Sequence, residues 1–448
     1  MFKKVLVANR GAVASRVLRA LASAGVPSVA VYSDADANAP YLAMAGETFH
    51  LGGAAPLDSY LNQDALLDVL ARSGADAVHP GYGFLSENAS FASEVEARGA
   101  RFIGPSPRWI DVMGHKTRAR ALAARSGLAV GAGSDVIHDV AAARRCAAAI
   151  GYPVLVKPAA GGGGIGMIAV HAPEALAEAV ERAAAIGHRG FANGDVYLER
   201  LVERPRHIEF QVLGDREGHV RNLFERDCSV QRRHQKIVEE APAPGLLRAS
   251  AIAQAEHVAQ TLDRLGYDNI GTVEMLMDAR GQFTFLEMNT RLQVEHGVTE
   301  AVTGVDLVVA QIRAAAGESL ASILPSAVTL EGHAIEARVY AEDPGRFLPS
   351  PGPLNVFRPP LHTGVRVETG YAEGQVVTPH YDPLLAKLIV HAPTRDRAIE
   401  SMCDALDAFA IEGVRHNIPA LRRIVASHEF RAGSVHTGLV AEVLARNP

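Results

Sequence analysis

The segment from Gly271 to Arg291, GTVEMLMDARGQFTFLEMNTR, constrains this 448-residue chain more than any other. It reads as two strands folded back on a turn containing Arg280-Gly281. With a two-residue turn, Ala279 opposes Gln282 and Glu274 opposes Glu287. Two carboxylates then share one face with Cβ atoms about 5 Å apart, which is destabilising unless positive charge lies between them. A hard divalent cation such as Mg²⁺ supplies that charge and also takes phosphate oxygens, so the pair reads as a bridge to a nucleoside triphosphate. A longer turn would leave both glutamates solvated instead. If the second strand stays extended, Glu287, Asn289, Arg291, Gln293 and Glu295 share one face, while Met288, Leu292 and Val294 take the other. An arginine among carboxylates and amides can bind an anion and still offer a base, whereas solvated faces favour Lys, Glu and Thr.

Ahead of the hairpin, apolar strands over 5–8, 29–32, 77–79 and 102–103 alternate with helical stretches such as 12–24, the pattern of a parallel α/β sheet. Its first turn, Asn9-Arg10-Gly11, lacks the three-glycine dinucleotide fingerprint, so no bound NAD is expected. From Lys116 the texture changes to helices over 118–126 and 140–150. A strand over 153–157 then runs into Gly161-Gly162-Gly163-Gly164-Ile165-Gly166, and strands resume over 196–199 and 207–213. A third region, rich in β-type residues and turns, begins near Gly332. The length fits about three domains, and no internal repeat is visible.

The glycine run has Lys157 before it and no Lys-Ser/Thr after it, so it is not a Walker loop. Glycines still let backbone N–H groups approach phosphate oxygens, with the lysine adding a point charge; a plain linker or a mobile lid are the other readings. The stretch Glu225 to Lys236, ERDCSVQRRHQK, gathers four basic residues and His234 without interleaved aromatics. The chain as a whole is acidic, with 44 Lys and Arg against 50 Asp and Glu and a net charge of −6. That favours a local site for a small anion over nucleic acid, with a solvated charge run as the alternative. Hydrophobic residues at 48% and charged residues at 21% exclude a disordered or collagen-like chain. Cys146, Cys228 and Cys403 form no CxxC pair, the run Val5 to Ala8 is too short for a signal-peptide core, and no apolar stretch approaches a bilayer span. A cytoplasmic protein without membrane or nucleic-acid partners is expected.

The motifs VLVANRG (5–11), HPGYGFLSEN (79–88), FIGPSP (102–107), GYPVLVK with its glycine loop (151–166), ERDCSVQRRHQKIVEEAPAPG (225–245), EMNTRLQVEH (287–296) and EARVYAED (336–343) together resemble the biotin carboxylase subunit or domain of biotin-dependent carboxylases, an ATP-grasp family. The resemblance spans nearly the whole chain. It implies an α/β (α+β) fold: an N-terminal Rossmann-like parallel-sheet domain (1–113), an ATP-grasp domain (114–329) with a mobile lid over about 130–203, and a β-rich C-terminal domain (330–448). By that match Lys116, Lys157, His207, Gln231 and His234 contact the phosphates or ribose of ATP, with Gly161, Gly162, Gly163, Gly164 and Gly166 in the phosphate loop. Glu199, Leu276 and the backbone at Arg200 and Val202 lie near the adenine. Glu274 and Glu287, with Asn289 close by, hold Mg²⁺ or Mn²⁺. Lys236, Arg291, Gln293 and Val294 position bicarbonate, Glu295 is its base, and Arg338 faces the ureido oxygen of biotin with Tyr82 nearby.

The implied reaction is carboxylation of biotin through carboxyphosphate, the first half-reaction of an acyl-CoA or urea-type carboxylase. The resemblance also implies a homodimer. None of the eight methionines is followed by lysine, so a Met-Lys-Met biotinylation site is absent. The biotin is therefore expected on a separate carrier protein, with a carboxyltransferase as a further partner. Three positions depart from the family pattern: Gly297 stands where Pro is usual, Ile165 where many members have Arg, and Ala12 where Glu is common. GGGGIGM and VYSDADANAP look more like urea-type enzymes, although those usually carry Asn at the position of His234. The alternatives are another ATP-grasp ligase, such as half of a carbamoyl-phosphate synthetase, or a nucleotide-binding paralogue without turnover.

Overall fold

A computed structural model describes residues 1–159, 166–191, 193–361 and 363–446. The architecture is the expected mixed α/β one. Near the N-terminus, the strands Glu47–Gly52, Ser28–Ser33, Val5–Val7, Ala77–His79 and Arg101–Phe102 lie in that order in a parallel sheet. The edge strand Glu47–Gly52 escapes an apolar-run search because it is mostly exposed. Gly11, with φ of +62°, turns the chain from the first strand into the helix Gly11–Ser23. Beside it, Asn9 Nδ2 donates to the carbonyls of Pro80 (2.6 Å) and Tyr82 (2.8 Å), tying this turn to the loop after the fourth sequential strand of the sheet.

The centre of the molecule is an antiparallel sheet of eight strands: Phe283–Asn289, Asn269–Met277, Arg206–Gly214, Val220–Arg232, Gln235–Ala241, His333–Tyr340, Leu384–Ala392 and Val365–Thr369. The third region expected near Gly332 thus adds its strands to the same sheet as the hairpin. His333–Tyr340 pairs directly with Gln235–Ala241, Val238 opposing Ala337 and Glu239 opposing Glu336. A smaller sheet, Ile168–Val170, Val154–Pro158 and Val196–Arg200, packs with the helices Val140–Ile150 and Leu176–Phe191 around its own core of Ala143, Val154, Val156, Ala183 and Leu198.

At the hairpin, Glu274 opposes Glu287, Val273 opposes Met288 and Thr272 opposes Asn289, as the sequence arithmetic requires. The turn itself is longer than two residues. Asp278 N donates to Gln282 O, Gly281 has φ of +77°, and the Asp278 carboxylate accepts from the N–H groups of Arg280 and Gln282. Below the turn the register is shifted, Met275 opposing Phe285, until a bulge between Glu274 and Met275 restores it. The extra turn residue and the bulge cancel. The strand ends at Asn289, so Arg291 to Glu295 are not extended continuations of it.

Candidate active site

The convergence of the central sheet, the small sheet and the segment after the hairpin leaves a cavity of about 840 Å³. Of the residues singled out from the sequence, Lys116, Lys157, Glu199, Arg200, Val202, His207, Gln231, His234, Lys236, Leu276, Glu274, Glu287, Asn289, Arg291, Gln293, Val294, Glu295 and Arg338 all line it. Tyr82 does not: its hydroxyl is buried without a hydrogen bond, close enough to Arg338 to feel its charge. Gly166 lies outside the lining, and its φ of +79° with Pro158 and Ile186 against it leaves no room for a side chain. Gly161, Gly162, Gly163, Gly164 and Ile165 fall outside the described residues.

Lys236 is the hub of the site. It stands on Gln235–Ala241 just after the two-residue turn Arg233-His234, both of whose residues have left-handed φ (+47° and +68°). Its Nζ donates to Glu209 Oε2 (2.5 Å), Glu274 Oε1 (2.8 Å) and Glu295 Oε1 (2.7 Å). Arg338 approaches from the neighbouring strand, donating to Glu295 Oε2 (2.9 Å) and, through Nε, to Glu239 Oε1 (2.6 Å). Burial works against the charge on Glu295, yet Lys236, Arg338 and Arg226 outweigh it and hold its carboxyl well below the usual carboxylate range. Glu239 fares differently: burial pushes it up to about 7, with Glu295 adding to the rise and Arg338 opposing it. Arg291 donates to Glu87 Oε2 (2.8 Å), Gln293 Oε1 (3.0 Å) and Asn289 Oδ1 (2.9 Å), which fix its guanidinium at the cavity wall.

The facing glutamates are unequal. Glu274 accepts from Lys236, Asn289 Nδ2 (2.8 Å) and Gln293 Nε2 (3.2 Å), and His207 Nε2 lies 3.0 Å away. Burial opposes its ionisation, but Lys236 and His207 hold it far below the usual range. On Glu287, burial and then the charge of Glu274 push the carboxyl up, against Lys116 and Lys157. Among the described residues no side chain hydrogen-bonds Glu287, the arrangement of a ligand that needs a cation to share the face with Glu274. The donor set of two carboxylates and a nearby amide therefore fits Mg²⁺. Beyond it, Leu155, Met167, Leu201, Leu276 and Leu286 supply apolar walls for a flat base, and Lys116 and Lys157 face the carboxylates across the gap. The Glu199 carboxylate is taken by Lys157 (2.8 Å) and Arg120 (2.7 Å).

Several contributors were not singled out from the sequence, although Glu87, Arg226 and Glu239 lie within the motifs 79–88 and 225–245. Glu209 alternates with His207 and Gln211 along Arg206–Gly214 while Ile208, Phe210 and Val212 take the other face, a polar row legible in retrospect. Arg226, counted in the charge run, lies entirely inside the protein, its Nε donating to Glu209 Oε1 at 2.6 Å. Glu87, Glu239 and Arg120 act through partners far away in sequence. Of the four basic residues in that run, Arg232, Arg233 and Lys236 line the cavity, Arg232 also pairing with Glu342.

A sheet-lined cleft with a nucleotide-sized cavity, facing carboxylates for a divalent cation and a buried carboxylate held by Lys and Arg defines an ATP-dependent ligase of the ATP-grasp class. Family models describe residues 1–110 as "Biotin carboxylase, N-terminal domain", 115–323 as "Carbamoyl-phosphate synthase L chain, ATP binding domain" and 336–442 as "Biotin carboxylase C-terminal domain". The chain is 45% identical over 445 residues to Biotin carboxylase 2 of Bacillus subtilis, covering 99% of this chain and all of that one. It is 46% identical over 453 residues to the Biotin carboxylase of Halalkalibacterium halodurans, covering 100% of both. The biotin carboxylase domain dimer of Hydrogenobacter thermophilus 2-oxoglutarate carboxylase, solved with MgADP, ADP and bicarbonate, superimposes with a TM-score of 0.96 at 44% identity over 99% of each chain. The chain belongs to the biotin carboxylase family. No helix among the described residues is long and apolar enough to cross a membrane.

Proposed function

We propose that this protein carboxylates the biotin of a separate carrier protein, using ATP and bicarbonate, in the cytoplasm. It would act as a homodimer that delivers carboxybiotin to a carboxyltransferase. The observation that carries this reading is the double grip of Lys236 and Arg338 on Glu295 beside Arg291 and Gln293: a fixed, ionised base at an anion-binding wall. Bicarbonate held by Arg291 and Lys236 loses its proton to Glu295, and its oxygen attacks the γ-phosphorus as the bond to ADP breaks. Mg²⁺, held by Glu274 and Glu287 with Asn289 close by, supplies charge neutralisation to the phosphates. Carboxyphosphate releases CO₂, the freed phosphate takes the biotin N1 proton, and N1 bonds to the CO₂. Arg338 stabilises the negative charge that grows on the ureido oxygen.

The test is Arg338→Gln, assayed for ADP release alongside carboxybiotin, with bicarbonate present and free biotin varied. Lys236 still holds Glu295 ionised in this variant. ATP cleavage should persist while biotin carboxylation drops by roughly 10² to 10³, the loss seen for one oxyanion donor. Equal loss of both activities with normal ATP binding would defeat the assignment of Arg338 to the second step. ATP cleavage by the unaltered protein that ignores bicarbonate would defeat the proposed function itself.

A further inference from the structure

The segment between Asn289 and the helix His296–Thr303 carries Arg291, Gln293, Val294 and Glu295, yet has no strand ladder to hold its carbonyls. Side chains hold three of them, while Glu295 O accepts from Val298 N at 3.3 Å. Leu292 O accepts from Arg291 Nη1 (3.1 Å) and Gln293 O is bonded to His296 Nδ1 (2.7 Å), both contacts within the segment or its helix. Val294 O accepts from Lys387 Nζ at 2.6 Å, and Lys387 comes from Leu384–Ala392, far along the chain.

Lys387 is 0% exposed. A lysine so buried costs folding free energy unless its charge is paired. Glu368 Oε2 lies 2.7 Å from Nζ and Glu336 Oε2 3.8 Å away. The register explains the grouping: Lys387 opposes Arg338 on one neighbouring strand and Glu368 on the other. Two basic residues on adjacent strands thus grip two adjacent residues of the segment, Arg338 the Glu295 carboxylate and Lys387 the Val294 carbonyl. One sets where the base points, and the other sets the peptide plane that carries it.

We propose that Lys387 is a positioning residue for bicarbonate activation, acting by orienting the peptide between Val294 and Glu295; the proposal rests on the function assigned above. Misplacing a reacting group by about 1 Å costs on the order of 10²-fold in rate. The effect should fall on bicarbonate and spare the nucleotide, whose walls lie on other elements.

The experiment compares Lys387→Met, Lys387→Gln and Glu368→Gln in the full chain, measuring bicarbonate-dependent ATP cleavage with KM for bicarbonate and for MgATP, together with melting temperature. Lys387→Met should raise KM for bicarbonate or lower kcat by a combined factor of about 10 to 10², while KM for MgATP stays within about twofold. Lys387→Gln, which keeps a donor near the carbonyl, should lie between Met and the unaltered protein, and it carries the comparison if Lys387→Met does not fold. Glu368→Gln leaves the lysine and its carbonyl contact in place, so it should lower the melting temperature with KM for bicarbonate nearly unchanged. Unaltered bicarbonate kinetics in the Lys387 variants, a parallel rise in both KM values, or an equal bicarbonate defect in Glu368→Gln would overturn the proposal. If the unaltered protein cleaved ATP without regard to bicarbonate, the functional reading would fail instead, and the two failures are distinguishable.

Discussion

Exchanging Glu295 for glutamine is expected to lower bicarbonate-dependent ATP cleavage and biotin carboxylation together, by roughly 10² to 10⁴, the range for loss of a positioned general base. Glutamine keeps the shape of the side chain, but Lys236 and Arg338 donate to different oxygens of Glu295, so its single amide oxygen can keep only one of the two contacts while its NH₂ faces the other cation. It also loses the charge. In the unaltered protein that charge is secure, because Lys236, Arg338 and Arg226 together overcome the cost of burial. A carboxyl held so low remains ionised throughout the neutral range, so activity should not fall through protonation of Glu295 until the pH drops below the ordinary carboxylate range. Nucleotide binding, measured by calorimetry with MgADP, should be unchanged. Substantial bicarbonate-dependent turnover in Glu295→Gln would remove the base from this residue.

The facing carboxylates predict a second large loss, with a difference between the two partners. Glu274→Gln and Glu287→Gln should each abolish turnover with Mg²⁺ and ATP, since neither glutamine supplies the charge a divalent cation needs. Their stabilities should diverge. Glu274 is the shared acceptor of Lys236, Asn289 and Gln293, and replacing it leaves a buried lysine with one carboxylate fewer, so its melting temperature should fall. Glu287 is pushed toward its protonated form by burial and by Glu274, so neutralising it relieves a cost and should leave the melting temperature unchanged or higher. Near-normal ATP cleavage at ordinary magnesium in either variant would contradict the metal assignment, and identical stability losses would contradict the asymmetry.

The glutamate pair was legible in the sequence through an arithmetic whose premise fails and whose answer holds. Adding one residue to the turn would have turned Glu287 away from Glu274, and the bulge at Met275 reverses that slip. A bulge leaves no local signature in composition or alternation, so only the pairing partner reveals it. Local alternation similarly located most parallel strands but passed over Glu47–Gly52, whose polar exposed face imitates a loop. The site was readable where its residues are close in sequence, from Glu287 to Glu295, or stand in motifs. Glu87 and Glu239 stand within the motifs 79–88 and 225–245 but, like Lys387, show no sign of their role there, because each acquires it only from a partner 93 to 204 residues away in the chain. Gly297, a departure from the family pattern, lies buried in the helix after the base, where a Cβ would stand 2.5 Å from Ile389 Cδ1. The space a side chain would need there is already filled.

The eight-stranded sheet makes the C-terminal quarter of the chain a poor candidate for exchange between enzymes. The joint between Gln235–Ala241 and His333–Tyr340 is an internal ladder, and the polar contacts that cross it, Glu239 with Arg338 and Glu240 with His333, are buried on both sides. Cleaving the chain between the helix Leu320–Ile323 and that ladder would therefore yield no two self-sufficient pieces: each would carry an open sheet edge studded with uncompensated charge. A chimera joined in the intervening linker would inherit the same mismatch unless the facing halves of the ladder were transplanted together. Inheritance of Arg338 and of its glutamate partners is thus coupled, and drift on one strand is answerable to the other.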